Sequence, residues 1–218
     1  MEFVIEHWRE PDDGIWESRG ERRHFVFSKA LCWVALDRAI RAAEETGLPA
    51  ELERWRAERE VIHADVLARG YDAARGAFTR AYGDPELDAS VLMLRLFGFI
   101  GADDPRMRST VALIEQELTT PDGFVYRYRH ERFDDGVGGP EGAFNICTLW
   151  LCNNLVLTGE VERARELFRR VCRSANDLGL LSEQTDAEQG MLGNFPQAFS
   201  HLALINAAVN IARAERAR

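Results

Sequence analysis

The chain has 218 residues, of which 46% are hydrophobic, 10% aromatic and 29% charged, and this composition is typical of a globular protein rather than a disordered or collagen-like one. Its 27 basic and 36 acidic residues give a net charge of −9, which disfavours nucleic acid as a partner because phosphates would meet an anionic surface. No stretch reaches the roughly 18 uninterrupted apolar residues that a membrane span needs, and the acidic start of the chain is unlike a signal peptide. We therefore expect a cytoplasmic protein that binds neither nucleic acid nor membranes.

Helical periodicity dominates the chain and predicts seven helices. In chain order these are residues 24–46, 49–69, 87–100, 105–118, 141–158, 160–178 and 196–213. The first, third, fifth and seventh are apolar around most of their circumference, whereas the other three carry one apolar stripe on a charged surface. No alternating run predicts a sheet of more than two short strands. The alternation therefore predicts an all-α fold with two concentric layers of helices.

The connections between these helices also alternate in length. Long segments rich in glycine, proline, aromatic and charged residues precede the apolar helices, and short turns precede the striped ones. We therefore expect all the long loops on one rim, where long loops on a packed scaffold usually carry function. Seven helices do not close a symmetric double ring, so apolar flanks of 24–46 and 196–213 should stay exposed unless another copy or segment covers them.

The sequence contains no motif for a metal, a nucleotide or a dinucleotide. Its cysteines lack Cys-x-x-Cys spacing and are interpreted as small buried hydrophobic residues. Its histidines lack the spacing of metal ligands, and no glycine-rich phosphate-binding motif is present. We therefore expect no metal and no cofactor. The cysteines concerned are Cys32, Cys147, Cys152 and Cys172, and the histidines are His7, His24, His63, His130 and His201.

Two glutamates in the long loops are candidates for catalysis. Glu17 follows a Pro-Asp-Asp-Gly segment in which Asp13 is interpreted as a turn residue, and Glu183 lies in a loop before the last apolar helix. Each could also be a solvated acid near a helix start. Glycoside hydrolysis needs one protonated carboxyl and one carboxylate, and Trp16 beside Glu17 would exclude water and so favour the protonated acid. Aromatic residues on these loops favour a sugar ligand; they are Trp16, Phe124, Tyr126, Tyr128 and Phe195.

Five segments together resemble the catalytic domain of glycoside hydrolase family 15, which contains glucoamylases, glucodextranases and bacterial trehalases. They are PDDGIWESRGERRHF, GFVYRY, GPEGAFNICTLWL, GLLSEQTD and GNFPQAFSHLALINAA, and they cover nearly the whole chain in the family's order. The resemblance implies an (α/α)6 toroid and inverting hydrolysis of α-linked glucose. Because the family's general-acid loop follows a fifth helix, it also implies that residues 1–218 are the C-terminal portion of the catalytic domain, an incomplete barrel of about seven helices.

The resemblance implies a role for each candidate glutamate. Glu17 in the GIWE motif matches the general acid, and Glu183 in the LLSEQ motif matches the general base that activates water. An inverting mechanism then requires the two carboxyls to stand about 6.5–9.5 Å apart, which leaves room for the water.

The resemblance also implies residues that contact the substrate. Either the Arg127-Tyr128 pair or Arg132 matches an arginine that hydrogen-bonds a sugar hydroxyl. Glu141 lies at the mouth of its helix, and Trp16 lines the pocket. A surface ion pair is an equal alternative for Arg132 and Glu141.

The first hypothesis is therefore a portion of an α-glucosidase that carries both catalytic carboxylates and acts on an oligosaccharide or disaccharide with α-linked glucose. Its pocket would be completed by a homo-oligomer or by an N-terminal half-toroid, which in the family supplies the residues that bind the non-reducing glucose. The alternatives are one half of a split enzyme, a non-catalytic carbohydrate-binding remnant, and a helical-repeat scaffold, which would have no use for the GIWE and LLSEQ motifs.

Overall fold

The computed structural model describes residues 1–132, 141–186 and 190–217, apart from the side chain of Arg132. In these ranges the α-helices are α1 (Glu2–His7), α2 (Val26–Thr46), α3 (Leu52–Arg69), α4 (Met93–Leu96), α5 (Pro105–Glu117), α6 (Asn145–Leu157), α7 (Val161–Arg173) and α8 (Ala198–Arg216). The strands are β1 (Tyr71–Asp72), β2 (Ala77–Phe78), β3 (Ala143–Phe144), β4 (Gln184–Thr185) and β5 (Met191–Leu192). None of the described helices is both long and apolar enough to cross a membrane.

The helix boundaries follow from local chemistry. α2 ends at Gly47, whose φ of 70° is easily reached only without a side chain. Pro105 occupies the first turn of α5, and the Asp104 carboxylate caps that helix by accepting the Arg106 N–H. Gln197 caps α8 in the same way through the Ser200 N–H. These local signals explain why the predicted and observed bounds of α2, α5 and α8 agree within three residues.

The predicted alternation of inner and outer helices is confirmed. α2 packs along α3, and α6 packs between α7 and α8. Ten of the thirteen residues of α6 are buried, from Asn145 to Leu155, whereas α3 buries only Ile62 and Val66. The inner helices therefore hold the core, and the outer helices cover it with a single stripe.

The sequence pattern assigns the last helix, α8, to the inner layer, but only one of its faces is buried. α8 buries one face through Ser200, Ala203, Ala207 and Ile211. Its other face leaves four large apolar side chains exposed: Phe199, Leu202, Ile205 and Val209. The exposed apolar flank expected on residues 196–213 is therefore present. The flank expected on residues 24–46 is much smaller, because on α2 the exposed large apolar side chain is Leu31 alone.

Several predicted elements were wrong in detail. Residues 87–100 form a 3-10 turn (Ala89–Leu92) and the four-residue helix α4, which stops before Gly98 with its φ of 75°. Helix α1 was missed, and α7 ends at Arg173 rather than at residue 178. The structure also contains a three-stranded antiparallel sheet in the order β3-β4-β5. Its strands have two residues each, too few for an alternating pattern to show in the sequence.

The cysteine prediction holds for two of four positions. Cys147 and Cys152 are buried, Cys32 is half-buried, and Cys172 is exposed. Burial raises the pKa of Cys152 to about 12, so this thiol stays protonated. Cys172 lies on the outer helix α7, which presents most of its surface to solvent.

Candidate active site

The long loops meet at one rim of the molecule, as predicted. Backbone hydrogen bonds link each loop to the next at the N-terminal ends of the inner elements. They run from Val26 N to Arg80 O (3.0 Å), Ala89 N to Arg127 O (2.8 Å), Phe144 N to Val125 O (2.8 Å), Asn145 N to Glu183 O (3.0 Å) and Gln197 N to Leu181 O (3.0 Å). The segments that carry the two candidate glutamates are therefore parts of one connected surface.

Glu17 has a strained backbone. Its φ is 50°, and among the non-glycine residues that the structure describes it alone has a positive φ. Such a conformation costs about 1–3 kcal/mol. The loop is closed by Glu17 N to Gly14 O (3.3 Å) and Ser18 N to Asp13 O (3.1 Å), so Asp13 is a turn residue as predicted. The Asp12 carboxylate holds the Gly14 N–H at 2.8 Å. Because strain persists only where the surroundings impose it, this loop is built to present residue 17.

Trp16 fixes the same loop to the core. Its indole N–H donates to both carboxylate oxygens of Asp88, at 3.1 and 2.9 Å, and its ring lies 5.6 Å from Phe144 and 6.1 Å from Trp150. Glu17 itself is exposed. The expectation that Trp16 shields Glu17 from water is therefore not met in this chain, because the indole packs inward against its partners.

Asp88 is a functional candidate that the sequence did not reveal. It is 1% exposed, and besides Trp16 it accepts the Ser90 N–H at 2.7 Å, which caps the 3-10 turn. Burial raises the pKa of the Asp88 carboxyl, and the donors from Ser90 and Trp16 oppose this rise. In the sequence, the pattern Asp-Ala-Ser marks Asp88 as a cap and nothing more. The hydrogen bond between Asp88 and Trp16 joins residues that are 72 positions apart, so no local pattern shows it.

Arg127 and Glu141 connect the two halves of the rim. The Arg127 guanidinium lies 5.4 Å from the Trp16 ring and donates to Glu141 at 2.7 Å through Nε. The side chain of Glu141 is only 8% exposed, so this ion pair is internal rather than at the surface. Glu141 also accepts from Gln184 Nε2 at 3.1 Å, and Gln184 is the neighbour of Glu183. A continuous series of contacts thus runs from Trp16 to Gln184, which is adjacent in sequence to the second candidate glutamate.

Glu183 is held by the loop after β5. Its Oε2 accepts the Asn194 N–H at 2.9 Å and the Asn194 side-chain amide at 2.8 Å. Gly193 packs against the same carboxylate, and a Cβ at this glycine would lie 2.7 Å from Oε2. Both donors engage the same carboxylate oxygen, Oε2, and so fix the position of this side chain.

Asn145 positions the backbone on either side of Glu183. This buried first residue of α6 donates from Nδ2 to Ser182 O at 2.9 Å and accepts from the Thr185 hydroxyl at 2.9 Å. Its own N–H donates to Glu183 O at 3.0 Å. Three hydrogen bonds from one residue therefore fix the loop that carries Glu183.

The remaining predicted substrate contacts differ in position. Tyr128 is 2% exposed, so its ring packs inside the molecule, with the Arg127 guanidinium 5.1 Å from its centre. Phe124 is likewise in the core. Arg132 ends a 3-10 turn, and its side chain lies outside the described residues. Phe195 is 47% exposed and remains available to a ligand.

An open cavity of about 520 Å³ lies beside Glu17, between its loop and the start of α2. Pro11, Ile15, Phe27 and Lys29 line it with Glu17, and Glu183 is not part of this wall. Among the described residues, no group of three His, Cys, Asp or Glu side chains could hold a metal ion. What the rim offers chemically is two carboxylates on connected loops, with aromatic and arginine side chains on the same loops, and such residue types suit acid and base catalysis on a polar substrate.

Comparisons with known proteins identify the fold and relatives of the chain. The family model described as "Glycosyl hydrolases family 15" matches residues 1–209. A trehalase of Mycolicibacterium smegmatis is 54% identical over 216 residues, which are 99% of this chain and 32% of that protein. The chain thus spans about a third of the length of this curated relative.

Solved structures share the architecture. A glycosidase variant in complex with glucose has a TM-score of 0.81 and 20% identity, covering 96% of this chain and 57% of that one. A bacterial glucoamylase complexed with acarbose has a TM-score of 0.77 and 19% identity, covering 97% of this chain and 36% of that one. The predicted (α/α)6 toroid is confirmed, and the chain forms part of one.

Proposed function

The chain belongs to glycosyl hydrolase family 15, and we propose that it supplies both catalytic carboxylates for the hydrolysis of an α-glucosidic bond with inversion, with trehalose as the substrate. The observation that carries this proposal is the connected rim that joins the loops of Glu17 and Glu183 through Trp16, Arg127 and Glu141. The relatives named trehalase, at 54% identity in one case, support trehalose over other α-glucosides.

In the proposed reaction, Glu17 is the general acid. Its carboxyl protonates the oxygen that links the two sugars, so that the leaving glucose departs neutral. The strained backbone of residue 17 supports this role, because strain in a folded protein concentrates where a side chain must be presented. Glu17 is exposed in this chain, and the proposed reaction needs a further wall that excludes water from its side chain.

Glu183 is the proposed general base. The two donors from Asn194 fix Oε2, while Oε1 accepts a proton from the water that attacks the anomeric carbon. Attack from the face opposite the leaving group inverts that carbon. Hydrolysis of trehalose, in which both anomeric carbons are α, would therefore release one β-glucose and one α-glucose.

We assign supporting roles to the residues between these carboxylates. Trp16 lines the pocket, and Arg127 and Arg132 are the candidates for a hydrogen bond to a sugar hydroxyl. Glu141 orients the Arg127 guanidinium through this internal ion pair. Tyr128 supports that guanidinium, which lies 5.1 Å from the centre of its ring.

The complete pocket needs helices beyond this chain. The solved toroids are longer than the chain, which covers 57% of one of them, and Glu17 is exposed. We propose that the chain is the C-terminal portion of the catalytic domain and that an N-terminal half-toroid, or alternatively a second copy, closes the pocket. The cytoplasmic location expected from the sequence stays a prediction.

The test follows the anomers of glucose by proton NMR during hydrolysis of trehalose, with maltose and isomaltose as comparison substrates. The sample is this chain, alone and co-expressed with the part of the M. smegmatis trehalase that does not match it. We expect an initial equal release of α- and β-glucose from trehalose. Release of the α-anomer alone would exclude inversion.

Two variants and a matched control assign the roles. Glu17→Gln and Glu183→Gln should each lower kcat by about 10²-fold or more, the typical contribution of a general acid or base, without lowering the melting temperature. Glu21→Gln changes an exposed glutamate four residues from Glu17 and should keep full activity. Equal activity in all three variants would contradict the assigned roles.

A second candidate is a non-catalytic carbohydrate-binding remnant, which the exposure of Glu17 favours. It predicts trehalose binding by calorimetry in every preparation, no glucose release, and no dependence of binding on Glu183→Gln.

A further inference from the structure

Lys29 is a buried cation at the start of α2. It is the fourth residue of that helix and is 2% exposed. Burial and position both cost free energy, because a buried charge loses its hydration and a cation near a helix N-terminus meets the positive end of the helix dipole. Burial lowers the pKa of Lys29, and the nearby Asp12 opposes this shift. The stability of α2 by itself therefore does not explain a lysine at this position.

The ammonium group of Lys29 is held by the segment that leads to Glu17. Nζ donates to the carbonyl of Trp8 at 2.7 Å and to that of Glu10, and it lies 3.8 Å from Oδ2 of Asp12. An ammonium has three N–H donors, and these three partners follow one another closely along the chain. One side chain of α2 thus fixes the whole approach to the loop of Glu17.

Asp12 extends this connection from Lys29 into the loop. Its Oδ1 accepts the Gly14 N–H at 2.8 Å and the Ser28 hydroxyl at 2.6 Å, and its Oδ2 is the oxygen that pairs with Lys29. The Gly14 carbonyl in turn accepts the Glu17 N–H at 3.3 Å. A series of contacts therefore joins the buried ammonium to the residue with the strained backbone.

We infer that Lys29 is a positioning residue for the general acid, and that through Asp12 it fixes the loop that presents the Glu17 carboxyl to the glycosidic oxygen. The inference rests on the proposed function, since it takes Glu17 to be the acid. Lys29 and Glu17 line the same open cavity of about 520 Å³, so the cation and the carboxyl border one space. The φ of 50° at residue 17 persists only where the surroundings impose it, and Lys29 supplies that restraint.

Two substrates distinguish this role from a purely structural one, in which Lys29 only satisfies carbonyl groups at the end of α1. Trehalose needs a proton from Glu17, because its leaving group is otherwise a sugar alkoxide. α-Glucosyl fluoride needs no such proton, because fluoride departs as a stable anion, yet its hydrolysis still uses Glu183 to activate water. A displaced acid therefore slows trehalose hydrolysis selectively, whereas general damage to the protein lowers both rates.

Lys29→Met keeps an unbranched side chain and removes the ammonium group. It should lower kcat for trehalose by about 10- to 100-fold, since a misplacement of about 1 Å can cost on the order of 10²-fold, and it should change kcat for α-glucosyl fluoride far less. Asp12→Asn keeps an oxygen for the Gly14 N–H but removes the charge that faces Lys29, so it should lower the trehalose-to-fluoride rate ratio by a smaller factor. If Lys29→Met does not fold, Asp12→Asn decides the test.

Asp37→Asn is the matched control. Asp37 is a buried charge on the same helix, 2% exposed, and it pairs with Arg41 at 3.0 Å and with Arg59 at 3.2 Å. The substitution should destabilise the chain, as Lys29→Met does, and should leave the ratio of the two rates at its wild-type value.

Both rates are measured in the preparation that is active with the wild-type sequence, and Glu17→Gln is measured alongside. If Glu17→Gln slows trehalose selectively while Lys29→Met slows both substrates equally, the positioning role is wrong and the acid assignment stands. An unchanged rate ratio in Asp12→Asn would also overturn the positioning role. If Glu17→Gln itself slows both substrates equally, the acid assignment fails, and with it the proposed function.

Amide hydrogen exchange tests the restraint in the isolated chain without any turnover. The Gly14 N–H is protected by Asp12, so its exchange should become at least about tenfold faster in Lys29→Met and stay at the wild-type rate in Asp37→Asn. Unchanged exchange at Gly14 in Lys29→Met would overturn the inference even if no preparation releases glucose. Faster exchange in a protein that releases no glucose would support the restraint by Lys29 and contradict the proposed function alone.

Discussion

Gly193→Ala adds a methyl group beside Glu183 and should lower kcat, whereas an equally destabilising substitution far from the site should not. Gly193 has a φ of 72°, and an alanine Cβ there would lie 2.7 Å from Oε2 of Glu183. To reach ordinary contact at 3.4 Å, the carboxylate must withdraw by about 0.7 Å, which exceeds the ~0.5 Å tolerance of a preorganised site. The shift would also weaken the 2.9 Å hydrogen bond from Asn194 N.

The expected loss of activity follows from this displacement. A misplacement of about 1 Å can cost on the order of 10²-fold in rate, so Gly193→Ala should lower kcat by roughly 10- to 100-fold. The left-handed backbone adds a separate cost of about 1–2 kcal/mol for any L side chain. In a chain of this size that cost lowers the melting temperature by roughly 2–8 °C.

Gly47 is the matched control. Its φ is 70°, and a Cβ there would meet nothing within 4 Å. It follows the last residue of α2, a helix of 21 residues, and is therefore about 30 Å from the rim at the other end. Gly47→Ala should share the loss of stability and keep full activity.

The assay is glucose release from trehalose by whichever preparation, the chain alone or the co-expressed complex, is active with the wild-type sequence. Thermal unfolding of both variants is recorded in parallel. If Gly193→Ala loses stability as Gly47→Ala does but keeps the wild-type kcat, then Glu183 is not the base or its position against Gly193 is irrelevant to catalysis.

Three further predictions concern the framework of the rim. Trp16→Phe removes the donor to the buried Asp88 carboxylate and should destabilise the chain by about 1.5–3 kcal/mol in urea unfolding; no change would mean that water replaces the indole N–H. Burial raises the pKa of Asp88 in the folded protein, so the stability that this residue contributes is fully present below its unfolded-state pKa of about 3.9. That stability is lost as the pH rises through the higher pKa of the folded state. The melting temperature of the wild type relative to Asp88→Asn should therefore decrease with rising pH between 4 and 8, and a constant difference would contradict the burial argument. Asn145→Ala removes the side-chain hydrogen bonds to Ser182 and Thr185, so it should lower the free energy of unfolding by about 1–3 kcal/mol and should also lower kcat. Asn206→Ala, on the exposed face of α8, should change neither quantity. If Asn145→Ala keeps the wild-type kcat, the loop holds Glu183 in place without Asn145.

The sequence predicted more of the fold than of the site. Helical period and glycine or proline breaks placed α2, α3, α5, α6 and α8 within a few residues, because these signals are local. The segment 87–100 failed, since an apolar run does not distinguish a long helix from a 3-10 turn followed by a short helix that is broken at Gly98. The two-residue strands that join the site loops are too short to leave any periodic signal.

The candidate site was found in part by motif and completed by contacts. Glu17, Glu183, Trp16, Arg127 and Glu141 were all selected from sequence, and the structure connects the loops that carry them. Asp88 and Asn145 were missed because a capping aspartate and a helix-start asparagine have the same appearance in any soluble helical protein. Tyr128 was selected as a sugar contact from its place in a loop, and the sequence carries no sign that its side chain would be buried; its role stays a prediction.

The sequence by itself determined the alternation of inner and outer helices, the placement of long loops before inner helices, and the family to which the chain belongs. Each of these depends on residues that are close together in the sequence, so a short stretch of the chain is enough to show it. The tertiary structure alone decided that Trp16 meets Asp88 across 72 residues, that Glu141 joins Gln184 across 43 residues, and that Lys29 is buried against the carbonyl groups of Trp8 and Glu10. Burial and pairing depend on what the rest of the chain brings to a position, and that information exists only once the helices have packed.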